Sequence, residues 1–326
     1  MLTRRGLLAA APLAVFTAAF PKATAAVPST PLRFGIITDV HHDLVPDGVA
    51  RVTAFADAMT AGKVDFVCQL GDFCTPKPAN RPFLAAFERF AGDRYHVLGN
   101  HDMDGGFTRE KTVAFFGMPG RYYSFEKAGV RFVVLDGNDP GGKTKGYKRF
   151  IGKYQLDWFA KELATAAGPV VVLVHQPFDD QPFEAIENHA EVRAVLKAAN
   201  AKGPKVAAVF SGHHHMNYVQ KIDDVPHVQV NSASYYYLGA HSHMSYDAET
   251  HKKYPVLAGT CPYKDALWAV VTIDQTQGKL TIEGKSTEWL GGSPWDVGAK
   301  ETAHDPKMVQ PMISPQEFAV ARANRK

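Results

Sequence analysis

The chain reads as an α/β protein, and three observations predict it. Short apolar runs of strand length recur from residue 32 onward, and segments with apolar residues at helical spacing lie between them. Several of the runs end in Gly, Asp, Asn or His, where loops begin. Such alternation signals parallel strands joined by crossover helices. In sheets of that kind, sites form beyond the carboxyl ends of strands.

Taken in order, residues 32–38 form a strand ending in Asp39-Val40-His41-His42. Asp47 is placed to cap a helix reaching Gly62, with Val49, Val52, Phe55, Ala56 and Met59 on one face. Residues 64–70 form the next strand, ending in Gly71-Asp72. A helix over about 79–91 buries Phe83, Leu84, Phe87 and Phe90, and Tyr95-His96-Val97-Leu98 then runs into Gly99-Asn100-His101-Asp102. Residues 121–126 and 130–136 make a hairpin, followed by a Gly- and Lys-rich loop over 139–145. A helix over 154–167 carries Leu156, Phe159, Ala160 and Leu163 on one face. Residues 170–174 form a strand ending in His175-Gln176-Pro177, and 189–202 a further helix. Residues 206–210 lead into Ser211-Gly212-His213-His214-His215. A second hairpin, 218–222 with 227–231, turns at Asp223-Asp224. An irregular loop over 236–264 precedes a closing hairpin of 266–273 and 279–284. Periodicity fades from Trp289, so 289–326 is expected as a tail on the surface.

The totals suit a globular chain: 326 residues, 45% hydrophobic, 21% charged, formal charge +3. No Lys/Arg run marks a nucleic-acid stripe, and no stretch after residue 30 is long and apolar enough to span a bilayer. Residues 1–26 are a different object. Arg4-Arg5 precede an Ala-rich apolar run from Leu8 to Phe20, and Ala23-Thr24-Ala25 offers small residues for cleavage. That is the build of a secretory signal. The paired arginines resemble the twin-arginine type, which implies periplasmic or secreted protein with its cofactor loaded before export and no membrane contact after cleavage. An uncleaved anchor is the alternative, disfavoured because the run is short for a spanning helix. The domain is then expected over 27–288. Three cysteines, Cys68, Cys74 and Cys261, argue against a disulfide framework. A Cys74–Cys261 bridge is the one pairing left open.

The strand-end groups, collected, are Asp39-x-His41, Gly71-Asp72, Gly99-Asn100-His101-Asp102, His175 and Gly212-His213-x-His215. Carboxylate, imidazole and amide oxygen together suit divalent first-row ions such as Mn, Fe or Zn. Glycine before Asp72, Asn100 and His213 permits sharp turns and close backbone approach. A structural zinc site is the wrong reading, because such sites are mostly closed by cysteines.

This series resembles the calcineurin-like metallophosphoesterases, which carry D-x-H, G-D, G-N-H-[DE], H and G-H-x-H along the chain. The resemblance spans about residues 32–232 and, in outline, the closing hairpin. It implies a four-layer α/β/β/α sandwich and two divalent or trivalent metal ions. Asp39, His41 and His215 would bind one ion, Asn100, His175 and His213 the other, and Asp72 would bridge them. A metal-bridging hydroxide would attack the phosphorus of a small-molecule phosphate ester, with His101 contacting the phosphate and aiding the leaving group. Residues 151–158 also resemble the Gln-Leu-x-Trp helix of the cyclic-nucleotide phosphodiesterase branch, which makes a phosphodiester the first substrate and a phosphomonoester the next. A non-catalytic metal- or phosphate-binding protein on the same scaffold is the reading from another class. One departure stands out. The protein-phosphatase branch has an Asp three residues after the bridging Asp to orient the catalytic His, and here that position is Thr75. Either Asp102 serves instead, or His101 is less polarised.

The neighbours have plainer readings. His42 and His214 occupy x positions and are expected to point away from a metal. His241 and His243 lack carboxylate or thiol partners and are expected at the surface. Tyr235-Tyr236-Tyr237 either lines the cleft by stacking or packs in the core. Phe178 and Asp179, just past His175, are candidates to flank the cleft. Lys143, Lys145, Lys148 and Arg149 either steer an anion or belong to a solvated loop.

Overall fold

A computed structural model describes residues 30–180, 184–201, 203, 205–300 and 304–322. The expected signal segment, 1–26, lies outside them. The first half holds β1 (Leu32–Ile37), α1 (Gly48–Ala61), β2 (Phe66–Gln69), α2 (Arg81–Phe87), β3 (Asp93–His96), α3 (Arg109–Phe116), β4 (Tyr123–Lys127) and β5 (Val130–Val134). The middle holds α4 (Lys153–Thr165), β6 (Val170–Leu173), α5 (His189–Asn200), β7 (Val206–Ser211), β8 (Tyr218–Ile222) and β9 (Val225–Gln229). The remainder holds β10 (Tyr235–Tyr237), α6 (Ala248–Lys253), β11 (Thr260–Pro262), β12 (Ala269–Asp274), β13 (Lys279–Glu283), β14 (Lys285–Ser286), β15 (Met312–Ile313) and β16 (Gln316–Ala319).

Two six-stranded sheets carry the fold, in the orders β16-β13-β12-β1-β2-β3 and β4-β5-β6-β7-β9-β8. The pairs β1–β2, β2–β3, β5–β6, β6–β7 and β7–β9 are parallel, the first four joined by crossover segments that contain helices and the last through β8. The inner faces meet through aromatic rings. Phe132 of the second sheet packs edge-on against Phe34 and Phe66 of the first, with centroids 5.3 and 5.1 Å apart. Side chains alternate accordingly: in β6, Val171 and Leu173 join the core between the sheets, while Val170 and Val172 join a second core under α4 and α5. On the far side of the first sheet α1 packs closely, and a Cβ on Gly35 would fall 2.2 Å from Met59 Sδ. The layers therefore run α/β/β/α.

Five expectations are corrected. Val49 is exposed, and Arg51 is buried on that face instead, bonding the carbonyls of Ala233 and Tyr263 at 2.9 and 2.7 Å. Asp47 precedes α1 as expected, but its carboxylate accepts from Arg51 Nε (2.8 Å) instead of capping the backbone. Ala160 is likewise exposed, whereas Gln155 is buried and bonds Asp136 through both backbone groups. The segment 236–264 is not irregular throughout, since it contains most of β10, all of α6 and β11. The segment after 289 is more than a surface tail: β16 pairs antiparallel with β13 and becomes the sheet's edge strand. Period-2 patterning is weak in edge strands, which have little apolar surface to bury, so these short strands left no clear signal. All three cysteines are buried and free, without a Cys74–Cys261 bridge. Among the described residues, no helix is long and apolar enough to cross a membrane.

Candidate metal centre

The carboxyl ends of β1, β2 and β3 deliver Asp39, Asp72 and Asn100 from one sheet. The ends of β6 and β7 deliver His175, His213 and His215 from the other. The turns that carry them are strained. Asp39, His41, Asp72, His213 and His215 all have positive φ, between 49° and 75°. Each such non-glycine residue costs on the order of 1–2 kcal/mol, and strain of this kind clusters at functional sites. Two of the glycines flagged by sequence are required by close approach. A Cβ on Gly99 would lie 2.1 Å from both Asp72 N and Asp72 Oδ1, and one on Gly212 would lie 2.4 Å from Asp39 Oδ2.

Two groups able to hold a metal ion result: Asp39, His41 and His215, and beside them Asp72, His175 and His213. In the first, Asp39 Oδ1 is 3.2 Å from His215 Nε2 and 3.9 Å from His41 Nε2. In the second, Asp72 Oδ2 is 3.1 Å from His175 Nε2. The groups adjoin, since Asp72 Oδ2 is also 3.7 Å from His41 Nε2, and Asp39 Oδ1 is 4.0 Å from His175 Nε2. Asn100 Oδ1 is buried there with no hydrogen-bond partner among the described residues. A buried amide oxygen left unpaired is costly, and a cation in the adjoining groups would satisfy it. The donor set of carboxylate oxygen, amide oxygen and imidazole nitrogen fits a pair of first-row divalent ions.

The outer contacts fix which ring nitrogens face inward. His175 Nδ1 lies 2.8 Å from the Leu70 carbonyl and His215 Nδ1 lies 2.7 Å from the Tyr235 carbonyl. A carbonyl only accepts, so each Nδ1 carries the proton and each Nε2 is the free donor atom. Asp39 accepts from Thr38 Oγ1 at 2.6 Å and from the His213 backbone N–H. Burial works against charge on Asp39, yet His215 and His175 outweigh it and hold the carboxyl well below its usual range. Burial also disfavours a charged His175, but Asp72 and Asp39 push it up to about 9. Two buried carboxylates that draw protons onto a neighbouring ring create the negative potential that a cation relieves.

His101 stands at the edge of the site, its ring centroid 5.1 Å from that of His41. Its backbone N–H donates to Asp72 Oδ1 at 2.8 Å. Burial disfavours its charge, but Asp72 and a bonded Asp104 raise it to about 9. Asp102 does not orient the ring, which corrects the sequence expectation. Its carboxylate accepts from the N–H groups of Phe73, Cys74 and Gly99 and braces the turn. Asp104 holds His101 instead, with Oδ2 2.7 Å from Nδ1. A carboxylate three residues past His101 was a spacing signal that sequence reasoning passed over. Thr75 is drawn away to Asp43, which accepts from its N and Oγ1 at 2.7 and 2.9 Å.

The neighbours divide cleanly. His42 stacks on Phe83, and His214 Nδ1 meets the Tyr218 hydroxyl, so both turn from the two groups. Tyr235 stacks on His41 and Tyr237 packs on His215, their hydroxyls 2.9 Å apart, while Tyr236 turns away to His304. The Tyr run therefore does both things: its first and third residues wall the site and its middle one packs elsewhere. Phe178 lies in the core beneath α4 and α5, and Asp179 accepts from the Tyr218 hydroxyl at 2.7 Å. Lys143, Lys145 and Lys148 are exposed, and Arg149 reaches Thr144 Oγ1 at 3.3 Å. His241 donates to the Val297 carbonyl, and neither it nor His243 belongs to a metal-capable group among the described residues.

Residues 32–217 match the family model described as calcineurin-like phosphoesterase. Two curated relatives are the manganese-dependent ADP-ribose/CDP-alcohol diphosphatases of Oryza sativa subsp. japonica and Arabidopsis thaliana. They are 28% and 26% identical over 252 and 261 residues, covering 56% of this chain each and 77% and 83% of the relatives. A solved dimetal phosphatase from Danio rerio superposes with a TM-score of 0.59 at 16% identity, over 80% of this chain and 99% of that one, a likeness of fold.

Proposed function

The chain belongs to the calcineurin-like phosphoesterase family of phosphoester hydrolases, and on that premise we propose that it cleaves small molecules whose phosphorus is substituted on both sides. Phosphodiesters come first, with diphosphate-linked nucleotides beside them. The observation that carries the reading is the pair of adjoining metal-capable groups with His101 at their edge. The relatives, named for ADP-ribose and CDP-alcohols, support the diphosphate extension.

In this reading Asp39, His41 and His215 hold one ion, Asn100, His175 and His213 the second, and Asp72 lies between them. Bound there, two ions supply Lewis-acid stabilisation of phosphoryl charge and acidify a water. The chain's own residues do the rest. Leu70 and Tyr235 keep the His175 and His215 rings turned inward. His101 presents a proton to the leaving oxygen as its bond to phosphorus breaks. Tyr237, partly exposed and backed by the buried Tyr235, offers an aromatic face against which a base or aryl group stacks. Arg4-Arg5 and the apolar run behind them support export by the twin-arginine route as part of the same proposal.

The test is purified mature chain with bound metals quantified, assayed on an aryl phosphodiester, the matching monoester, ADP-ribose and a CDP-alcohol. Metal-dependent preference for the diester or the diphosphates is the expected result. Monoester preference moves the protein to the phosphatases, and two bound metals without turnover on any substrate overturns catalysis in favour of binding.

A further inference from the structure

His101 carries an arrangement that metal binding does not require. Nδ1 lies 2.7 Å from Asp104 Oδ2, and Asp104 Oδ1 accepts from the Tyr147 hydroxyl at 2.8 Å. That hydroxyl is also 3.1 Å from His101 Nδ1, and the two rings lie 4.6 Å apart at 54°. Asp104 ends the short helical turn that His101 begins. Tyr147 arrives from 46 residues further on, just past the Gly- and Lys-rich stretch 139–145. A carboxylate only accepts, so Nδ1–H and the phenol O–H donate to opposite oxygens of one group. Nε2 is thereby left as the nitrogen that faces a substrate.

Two observations set this apart from an incidental surface bond. The other carboxylates near the turn are committed elsewhere: Asp102 to three backbone N–H groups, and Asp43 to Thr75, Asn80 and Lys77. And the Tyr147 side chain is 45% exposed, a large ring held in solvent at the edge of the site where burial offers it little.

We propose that Asp104 and Tyr147 are positioning residues for His101: Asp104 fixes the ring through Nδ1, and Tyr147 clamps Asp104 and covers the imidazole from a second loop. This deepens the proposed function and rests on it for its kinetic consequence. As hydrolysis proceeds, the oxygen of water bonds to phosphorus and the bond to the leaving oxygen breaks, its electron pair staying on that oxygen. His101, protonated on both nitrogens, gives that oxygen its Nε2 proton, and the proton shed by water restores the imidazolium. The ring left after donation is the Nδ1–H tautomer that Asp104 holds.

The experiment compares Asp104→Ala, Asp104→Asn, Tyr147→Phe and His101→Ala, with metals quantified, on phosphodiesters of good and poor leaving groups. With metals retained, Asp104→Ala should lower kcat roughly 100-fold for alkyl leaving groups, in the range general acid catalysis supplies, and only a few-fold for nitrophenyl esters. Tyr147→Phe should follow the same pattern more weakly, Asp104→Asn should recover part of the loss, and Asp104→Ala should add nothing in a His101→Ala background. Equal losses across leaving groups, or a further loss in that background, would overturn the clamp. A second readout separates it from the functional reading: 15N chemical shifts of the His101 ring. If the wild type cleaves none of these esters, the functional reading fails, yet a carboxylate-bonded Nδ1–H signal that is lost in Asp104→Ala still establishes the clamp. A ring indifferent to Asp104 removes it in either case.

Discussion

His41 Nε2 and His215 Nε2 lie 3.1 Å apart, although 174 residues separate them in the chain. Since His215 Nδ1 donates to the Tyr235 carbonyl, Nε2 is the ring nitrogen turned toward His41. Burial holds the His41 imidazole well below its ordinary protonation range, so that ring is neutral here. Imidazole nitrogens and Asp39 Oδ1 converge on one point because a cation belongs among them.

The same convergence makes Asp72 the residue whose loss is felt by both groups. Asp72→Ala should lose metal and activity together, with turnover down at least 100-fold in the way removal of a buried charge partner acts. Elemental analysis of the purified variant checks it, and full occupancy would remove the bridging role.

Gly99→Ala tests the packing behind the site without replacing a metal-capable residue. The added methyl must displace Asp72, which it would meet at 2.1 Å. We expect a stability loss of about 1–3 kcal/mol, typical of overpacking, together with weakened metal retention. Thermal unfolding and metal titration of one preparation separate the two effects, and unchanged metal affinity would mean that Asp72 relocates freely.

Two buried histidines outside the metal-capable groups set the acid limit. His96 stacks on Phe116 with centroids 5.0 Å apart, and burial, aided by Arg94, lowers it to about 3. Burial, again with an arginine nearby, lowers His227 to about 4. Both folded values lie below the unfolded one, so the unfolded chain binds more protons as pH falls. Their contribution is intact above about pH 6.5 and drains away toward pH 3–4, by about 1.4 kcal/mol per pH unit for each ring. Denaturant unfolding of metal-free protein at several pH values measures the slope. His96→Gln should flatten it, and an unchanged slope would show that His96 is not the source.

Export can be read from location alone. Replacing Arg4-Arg5 with Lys-Lys should hold the protein in the cytoplasm if the twin-arginine route operates. Fractionation of cells carrying the variant decides, and undiminished export would assign the general secretory route.

Much of the site was legible because each metal-capable residue follows a strand end, where an apolar run stops and a polar turn begins. Periodicity marks that border, and the turn chemistry around Asp39, Asp72, Asn100, His175 and His213 is written in adjacent residues. Asp104 was legible in principle, three residues past His101, but nothing local told it from Asp102, the nearer carboxylate. Tyr147 carried no signal, because a tyrosine just past a Gly- and Lys-rich loop has the same neighbours whether it faces water or an imidazole. Val49 and Arg51 show the converse failure. Helical spacing placed the apolar residue inward, while carbonyls from residues 233 and 263 repay the burial of the arginine.

The sequence alone determined the strands and helices that lead into the site, though not α3, α6, β10, β11, β15 or β16, together with the donor types and their order, for these depend on short-range periodicity and on side-chain chemistry. Tertiary structure decided the rest: which ring nitrogen faces the site, which carboxylate holds His101, and how 316–319 completes a sheet. Each of those depends on hydrogen bonds between residues far apart in the chain. Only closing the two sheets on each other brings such partners within bonding distance.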